Sequence, residues 1–236
     1  MEKFILKRDD LMGLGGWFDG IDEIRFLNCC LVGLEQKELL SETQYYPVNI
    51  DRYADKSGLS VSKAYEEVKL FADKLKHIDL KIKLGSSIWI TSFIYDYVYD
   101  DLNKTIHIQW NKKIIPAISG EMLPGTFCYY DSRMDSVSSN KSYRLAELLQ
   151  RYLWHIRQHG SYQLDIDLIR KQTGTEKLYI EYKELNRWVI QPALKDLEKH
   201  IGVKLDAIKK RGADYVTFMP AKNKINAIPA NIPEIF

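Results

Sequence analysis

The sequence predicts an α+β fold made of two tandem halves, each three helices closed by a β-hairpin. Three observations predict it: a weak internal repeat, a helix with one apolar half followed at once by a basic hairpin, and a polar stretch between the halves. The repeat is read from position. Ile50-Asp51 precedes Ser57-Gly58 by the same spacing that separates Ile166-Asp167 from Thr173-Gly174. Asp suits a helix start, where its oxygen accepts from free amides, and Gly suits a stop, because it enters the left-handed region without a Cβ penalty. Both copies then close alike, His77-Ile78-Asp79-Leu80 against His200-Ile201-Gly202-Val203. The second copy is longer, and the insertion is placed at residues 178–184.

In chain order, residues 21–39 have helical apolar spacing, and residues 50–58 form a short helix ending at Gly58. Residues 60–77 follow as a longer helix, with Val61, Ala64, Val68, Phe71, Leu75 and Ile78 in a buried stripe. Residues 86–99 and 104–110 alternate as strands around a polar turn at 100–103. Phe93, Tyr95, Tyr97 and Tyr99 recur at a period of two, which reads as one buried face or, if exposed, as a dimer seam within 88–99. Residues 132–142 are polar and Ser-rich and read as a linker. A helix over 143–158, a short helix over 166–174 and a long one over 182–200 repeat the plan. Strands at 203–208 and 215–219 then flank Lys209-Lys210-Arg211-Gly212. Helix, helix, helix, hairpin is a winged helix, a form of helix-turn-helix domain. The expected division is an N-terminal winged helix at 1–131, a linker at 132–142, a C-terminal winged helix at 143–221 and an extended tail at 222–236 with Pro229 and Pro233.

The helix over 182–200 carries the functional reading. Leu185, Val189, Ala193, Leu197 and Ile201, flanked by Ile190 and Leu194, fill one half of its wheel. Arg187, Gln191 and Lys195 form a row on the other half, and the planar forks of Arg and Gln fit purine edges in the major groove. For an isolated helix a solvated face would be the better explanation of such a row, because polar rows are what surface helices show. The adjoining cationic hairpin shifts the balance, since it supplies a surface for phosphate beside one for bases.

Composition agrees. Residues 1–135 hold 17 Lys+Arg against 21 Asp+Glu, whereas residues 136–236 hold 17 against 11, so the later half is the cationic one. Hydrophobic content of 45 % with 28 % charged residues supports folded cores. No apolar run reaches membrane-spanning length and the N-terminus lacks a secretory pattern, so a cytoplasmic location is expected. Cys29, Cys30 and Cys128 are an odd set with an adjacent pair, read as reduced, buried thiols.

Signals of catalysis are weak, and the expectation is a protein that is no enzyme and needs neither cofactor nor metal. The chain lacks the His pair, separated by one apolar residue, that a metal-assisted Tyr nuclease needs. His155 and His159 are four apart, but HIRQH lacks the Glu of a zinc protease. The glycines Gly13, Gly15 and Gly16 lack the Lys-Ser/Thr of a phosphate loop.

The run SYRLAELLQRYL, a short helix ending in TG, then LNRWVIQPALKDLEKHIGVKLD and a basic wing ending YVTF resemble the C-terminal domain of iteron-binding plasmid replication initiators, the Rep family with tandem winged helices. The resemblance is good over residues 140–220 and only one of layout before them. Pro192 within a helix ordinarily costs about 3 kcal/mol. In this family a Pro-Ala pair in the recognition helix is a familiar pattern. The resemblance implies binding of origin direct repeats on double-stranded DNA and recruitment of host replication proteins. It also implies a monomer–dimer equilibrium through the N-terminal domain, the dimer repressing its own promoter. By position it implies that Lys183, Asn186, Arg187, Gln191 and Lys195 face the groove and Lys209, Lys210 and Arg211 the backbone. Ser60, Ser62, Lys63 and Lys69 are the first domain's counterparts, although Glu66 and Asp73 share that outer face. A transcriptional repressor without initiator activity and a winged-helix interaction module that does not bind DNA are the rival readings.

Overall fold

A computed structural model of the chain describes residues 4–8, 20–31, 40–84, 87–118, 127–222 and Ile228. Strand β1 (Phe4–Arg8) pairs antiparallel with β7 (Phe127–Asp131). Between them lie α1 (Ile21–Leu31), β2 (Tyr46–Pro47), α2 (Ile50–Ser57), α3 (Val61–His77), β3 (Leu80–Leu84), β4 (Ser87–Thr91), β5 (Ile94–Asp100), β6 (Thr105–Trp110) and α4 (Ile115–Ile118). After β7 come a 3-10 turn (Ser132–Ser136), α5 (Asn140–His159), β8 (Tyr162–Asp165), α6 (Ile166–Thr173), α7 (Tyr182–Leu185), a π turn (Asn186–Ile190), α8 (Gln191–Ile201), β9 (Leu205–Ile208) and β10 (Tyr215–Pro220).

The two copies of the repeat have the helix stops expected of them. Gly58 and Gly174 end α2 and α6 with φ of 68° and 64°, the left-handed turn that a side chain resists. The start of α2 differs from expectation, because the cap is Asn49, whose side chain accepts from the Arg52 amide, and Asp51 lies inside the helix. Ser60 caps α3 in the same way, accepting from the Lys63 amide. Of the stripe read along α3, Ala64, Val68 and Leu75 are buried and Phe71 and Ile78 half-buried, but Val61 is exposed at the first turn. The glycine cluster at 13–16, residues 32–39 of the first helix and nearly all of the tail after Lys222 lie outside the described residues.

Three strand readings change. The run 86–99 divides into β4, paired with β3, and β5, paired with β6, with a break at Ser92-Phe93. The Phe93 amide leaves the ladder and donates to the Leu75 carbonyl at the end of α3. A register shift between Ile94 and Asp96 then turns the face, so that Phe93 is fully buried while Tyr95 and Tyr99 are exposed. Strand β8 supplements the second hairpin, giving a sheet ordered β8-β10-β9, and β2 does the same for the first, ordered β2-β6-β5.

The polar segment at 132–142 is packed structure, where a linker was expected. Ser132, Met134, Asp135 and Val137 are buried, and Ser139 caps α5 through the Ser142 amide. The 3-10 turn contacts α1 and α2 of the first half and α5 and α8 of the second. Asp135 is its centre, fully shielded from solvent. Its Oδ1 accepts from Asn28 Nδ2 at 2.6 Å, its Oδ2 lies 3.5 Å from the Arg52 guanidinium, and its carbonyl accepts from Arg25 Nε at 2.7 Å. Arg25 also donates to the Val137 carbonyl at 2.6 Å, and Asn28 Nδ2 donates to Tyr143 Oη on α5 at 2.7 Å. Serine hydroxyls make a segment look solvated in sequence, yet here the polar groups find their partners inside the protein.

The same pocket keeps the adjacent cysteines inert. Cys29 and Cys30 are buried free thiols, and burial, reinforced by the Asp135 charge, pushes Cys29 up to about 12. The thiolate is the reactive form, so neither cysteine is a nucleophile at neutral pH. The native chain should therefore leave Cys29 and Cys30 unalkylated by iodoacetamide at pH 8, with both labelled after unfolding, as read by peptide mapping. Asp135→Ala should cost about 3 kcal/mol in urea denaturation, the scale of a buried ion pair stripped of one partner. A loss within about 0.5 kcal/mol, typical of a surface site, would show that the packing between the two halves around the 3-10 turn does not depend on this carboxylate.

Candidate nucleic-acid interface

The helix that opens at Tyr182 is continuous through to Ile201 but changes its winding. In the π turn the Gln191 amide donates to the Asn186 carbonyl, five residues back. Pro192 follows in the first turn of α8. Proline has no N–H to give to the carbonyl four residues earlier and its ring crowds that carbonyl, so a normal α-turn at Trp188 would be both unbonded and strained. Widening the turn by one residue relieves the conflict without ending the helix. The helix read over 182–200 thus survives Pro192, with a bulge in the middle of the candidate reading surface where the proline alone would favour a break.

The apolar half is seated as its spacing requires. Leu185, Val189, Ile190, Ala193, Leu194, Leu197 and Ile201 are all buried, packed against α5 among others. The other half faces solvent. Lys183, Arg187, Gln191 and Lys195 are exposed and Asn186 is half-exposed, so all five side chains expected in the groove lie on one helix. Gln191 Nε2 donates to Asn186 Oδ1 at 3.3 Å across the π turn, linking two of them. The Arg187 guanidinium stands 4.7 Å over the ring of Trp188. Trp188 is 51 % exposed, a residue that the sequence reading passed over. The signal was present, since Trp188 adjoins Arg187 and lies outside the apolar stripe.

Lys209, Lys210 and Arg211 sit in the connection between β9 and β10, with Lys210 and Arg211 exposed. Lys209 is half-buried, its ammonium 5.5 Å above the Tyr182 ring, which ties the hairpin to the start of the recognition helix. Among the described residues Lys183, Lys195, Lys210 and Arg211 make no hydrogen bond or ion pair through their side chains, which leaves them able to meet an anion.

The first domain presents a different surface. Ser60, Ser62 and Lys63 are exposed at the start of α3, although the Ser60 hydroxyl is engaged as the cap. Lys69 departs from its expected availability. Its ammonium binds Asp101, in the turn between β5 and β6, at 3.0 Å, approaches Glu66 at 4.0 Å and lies 4.2 Å over the Tyr99 ring. Asp101 also accepts from Tyr65 Oη at 2.8 Å, and the hydrogen bond from Lys69 holds its carboxyl below the ordinary range. The turn of this hairpin is therefore acidic where its counterpart is basic.

Among the described residues no group of three or more His, Cys, Asp or Glu is placed to hold a metal ion. The rings of His155 and His159 lie 4.3 Å apart, tilted by 42°, and His155 meets Tyr162 edge-on at 5.0 Å. No helix among the described residues is long and apolar enough to cross a membrane.

A search of curated proteins returns no match to this sequence. Among solved structures, the Pi initiator protein in complex with iteron DNA superposes with a TM-score of 0.75 at 17 % identity, over 92 % of this chain and 96 % of that one. That likeness is one of fold, the tandem winged-helix arrangement. The WH1 domain of a replication protein isolated from a multiple sclerosis patient covers 48 % of this chain and 91 % of its own, with a TM-score of 0.37 at 15 % identity. Domains 2 and 3 of RctB cover 89 % of this chain and 81 % of their own, with a TM-score of 0.43 at 11 % identity. Two family models match in sequence: the WH1 domain of initiator replication proteins over residues 20–150, a range that includes the 3-10 turn around Asp135 and the first half of α5, and the WH2 domain of initiator Rep proteins over residues 165–219. The chain therefore belongs to the family of initiator replication proteins, built from the two winged helices WH1 and WH2.

Proposed function

We propose that this replication initiator binds direct repeats on double-stranded DNA at the origin of a plasmid or plasmid-like circular element, and acts by binding alone, without catalysis. The observation that carries the proposal is the exposed row Arg187, Gln191 and Lys195 on a helix whose opposite half is buried, beside the cationic turn at Lys210 and Arg211. Arg and Gln read base edges, and the lysines and the wing take phosphate. The printed description of the Pi structure, a complex with iteron DNA, supports the same ligand for this fold. WH2 supplies most of the affinity, because Lys183, Lys195, Lys210 and Arg211 are exposed and, among the described residues, hold no carboxylate, whereas Lys69 of WH1 must first leave Asp101.

Self-association belongs to the proposal through β5. In the sheet β2-β6-β5 this seven-residue strand is an edge, and Tyr95, Val98 and Tyr99 on it are exposed. An open edge with apolar side chains is a template for a second strand. A dimer made there would serve as repressor of the initiator's own promoter, while the monomer engages the repeat and host replication proteins. A cytoplasmic location follows from that role.

Arg187→Ala should lose about 1–3 kcal/mol on the specific repeat and relax discrimination at one base pair. Equal weakening on random DNA would remove Arg187 from base reading. Replacing Lys209, Lys210 and Arg211 by Gln should weaken all duplexes and flatten the logarithmic salt dependence by roughly 0.9 for each phosphate no longer neutralised. An unchanged slope would take the wing off the backbone. Val98→Lys should leave a monomer in sedimentation at concentrations where the parent protein pairs, and a persistent dimer would place the seam elsewhere.

A further inference from the structure

The part of the inserted segment that precedes the recognition helix, residues 178–181, has no part in the contacts proposed so far. Gly58 is followed almost at once by α3, whereas between Gly174 and α7 the chain makes a loop that carries Tyr179 and Ile180. Ile180 is 81 % exposed. A loop that merely spans a gap would not be held as this one is. The Arg170 guanidinium on α6 donates to the carbonyls of Tyr179 and Ile180, and Lys141 on α5 donates to Tyr179 Oη at 2.8 Å. Tyr179 itself has φ of 51°, a left-handed conformation that a non-glycine residue keeps only when its surroundings impose it. The protein thus spends two cationic side chains and a strained backbone on displaying an isoleucine to solvent.

Its position says to what. Ile180 lines a cavity of about 500 Å³ with Tyr182, the first residue of α7, and Lys209 of the wing, so it stands where helix start and wing meet. The wall of that cavity carries three carboxylates, Asp165, Asp167 and Asp214, against two cations, Arg170 and Lys209, and Arg170 is already engaged by the loop carbonyls, so the balance is acidic. On the DNA contacts proposed above, an apolar side chain beside the start of the recognition helix lies toward the major groove, where the apolar group on offer is the thymine 5-methyl. We propose that Ile180 is a specificity residue that packs on the 5-methyl of one thymine in the repeat. The inference rests on the DNA-reading function proposed for this chain and adds a base and an atom to it.

The test uses the full chain and a repeat that it selects from a random duplex pool. Each thymine of the selected site is replaced in turn by uracil, which differs only in lacking the methyl, and affinities are measured for the parent and for Ile180→Ser. The parent should lose about fourfold at one position, the worth of one buried methyl. Ile180→Ser should bind the thymine site about as weakly as the parent binds that uracil site, and should be indifferent to the change. Its melting temperature should match the parent's, because so exposed a side chain contributes little burial. If no position is sensitive to uracil, or if Ile180→Ser keeps the parent's sensitivity, the assignment fails while DNA reading stands. If no sequence is selected at all, the DNA-reading function fails, and this inference with it.

Discussion

The arrangement of the two domains depends on one buried carboxylate. Asp135 has no solvent to meet, so its charge is balanced by the Asn28 amide and the Arg52 guanidinium of the first half, while its backbone carbonyl is taken by Arg25. An ion buried this way adds little net stability compared with an apolar core, because desolvation offsets the attraction. What it adds is a requirement that its partners stay in place. Since Asn28 also donates to Tyr143 on α5, and the 3-10 turn around Asp135 packs on α8, a rotation of WH1 against WH2 would strand several buried polar groups together. The 3-10 turn around Asp135 is thus the place where elements of both halves pack together, α1 and α2 on one side and α5 and α8 on the other.

The two winged helices are unequal. In WH2 the helix face and the wing leave cations exposed, with Glu184 the exposed carboxylate of the helix's first turn and Asp214 at the base of the wing. In WH1 the hairpin turn carries Asp101, which occupies Lys69 and Tyr65 of the recognition helix. The difference between the halves in net charge, mildly negative against positive, has its structural expression here. On the proposed function WH2 finds the site and WH1 completes the grip, its lysine exchanging a carboxylate for a phosphate.

Much of this is legible in the chain, and the remainder is hidden for identifiable reasons. Periodicity locates α3, α5 and α8 because their buried stripes are long, and glycine marks the ends of α2 and α6 because the left-handed turn excludes most other residues. Strand β8 escapes notice since four residues hold too little alternation to distinguish a strand from a loop. The break at Phe93 is hidden because a bulge shifts register without altering composition, so a regular aromatic period conceals two strands. The segment 132–142 reads as a linker because burial of polar side chains depends on partners more than a hundred residues away, Arg25 and Asn28, which no local pattern reveals. At the candidate site, the row Arg187, Gln191 and Lys195 is visible, but the engagement of Lys69 by Asp101 and the display of Ile180 are tertiary facts. Pro192 is the intermediate case. Local physics exposes the conflict and the structure resolves it by a π turn.

On the proposed function, two winged helices packed around Asp135 read one repeat as a unit. The direct measurement is affinity for a selected repeat into which five base pairs are inserted between the segments protected by WH1 and WH2. Half a helical turn moves one groove to the far side of the duplex. A rigid pair should lose one domain's contribution altogether, so that affinity falls to that of WH2 with half the site and protection over the WH1 segment disappears. Unchanged affinity, with both segments still protected, would mean that the domains move independently and that the Asp135 seam does not hold them as one body.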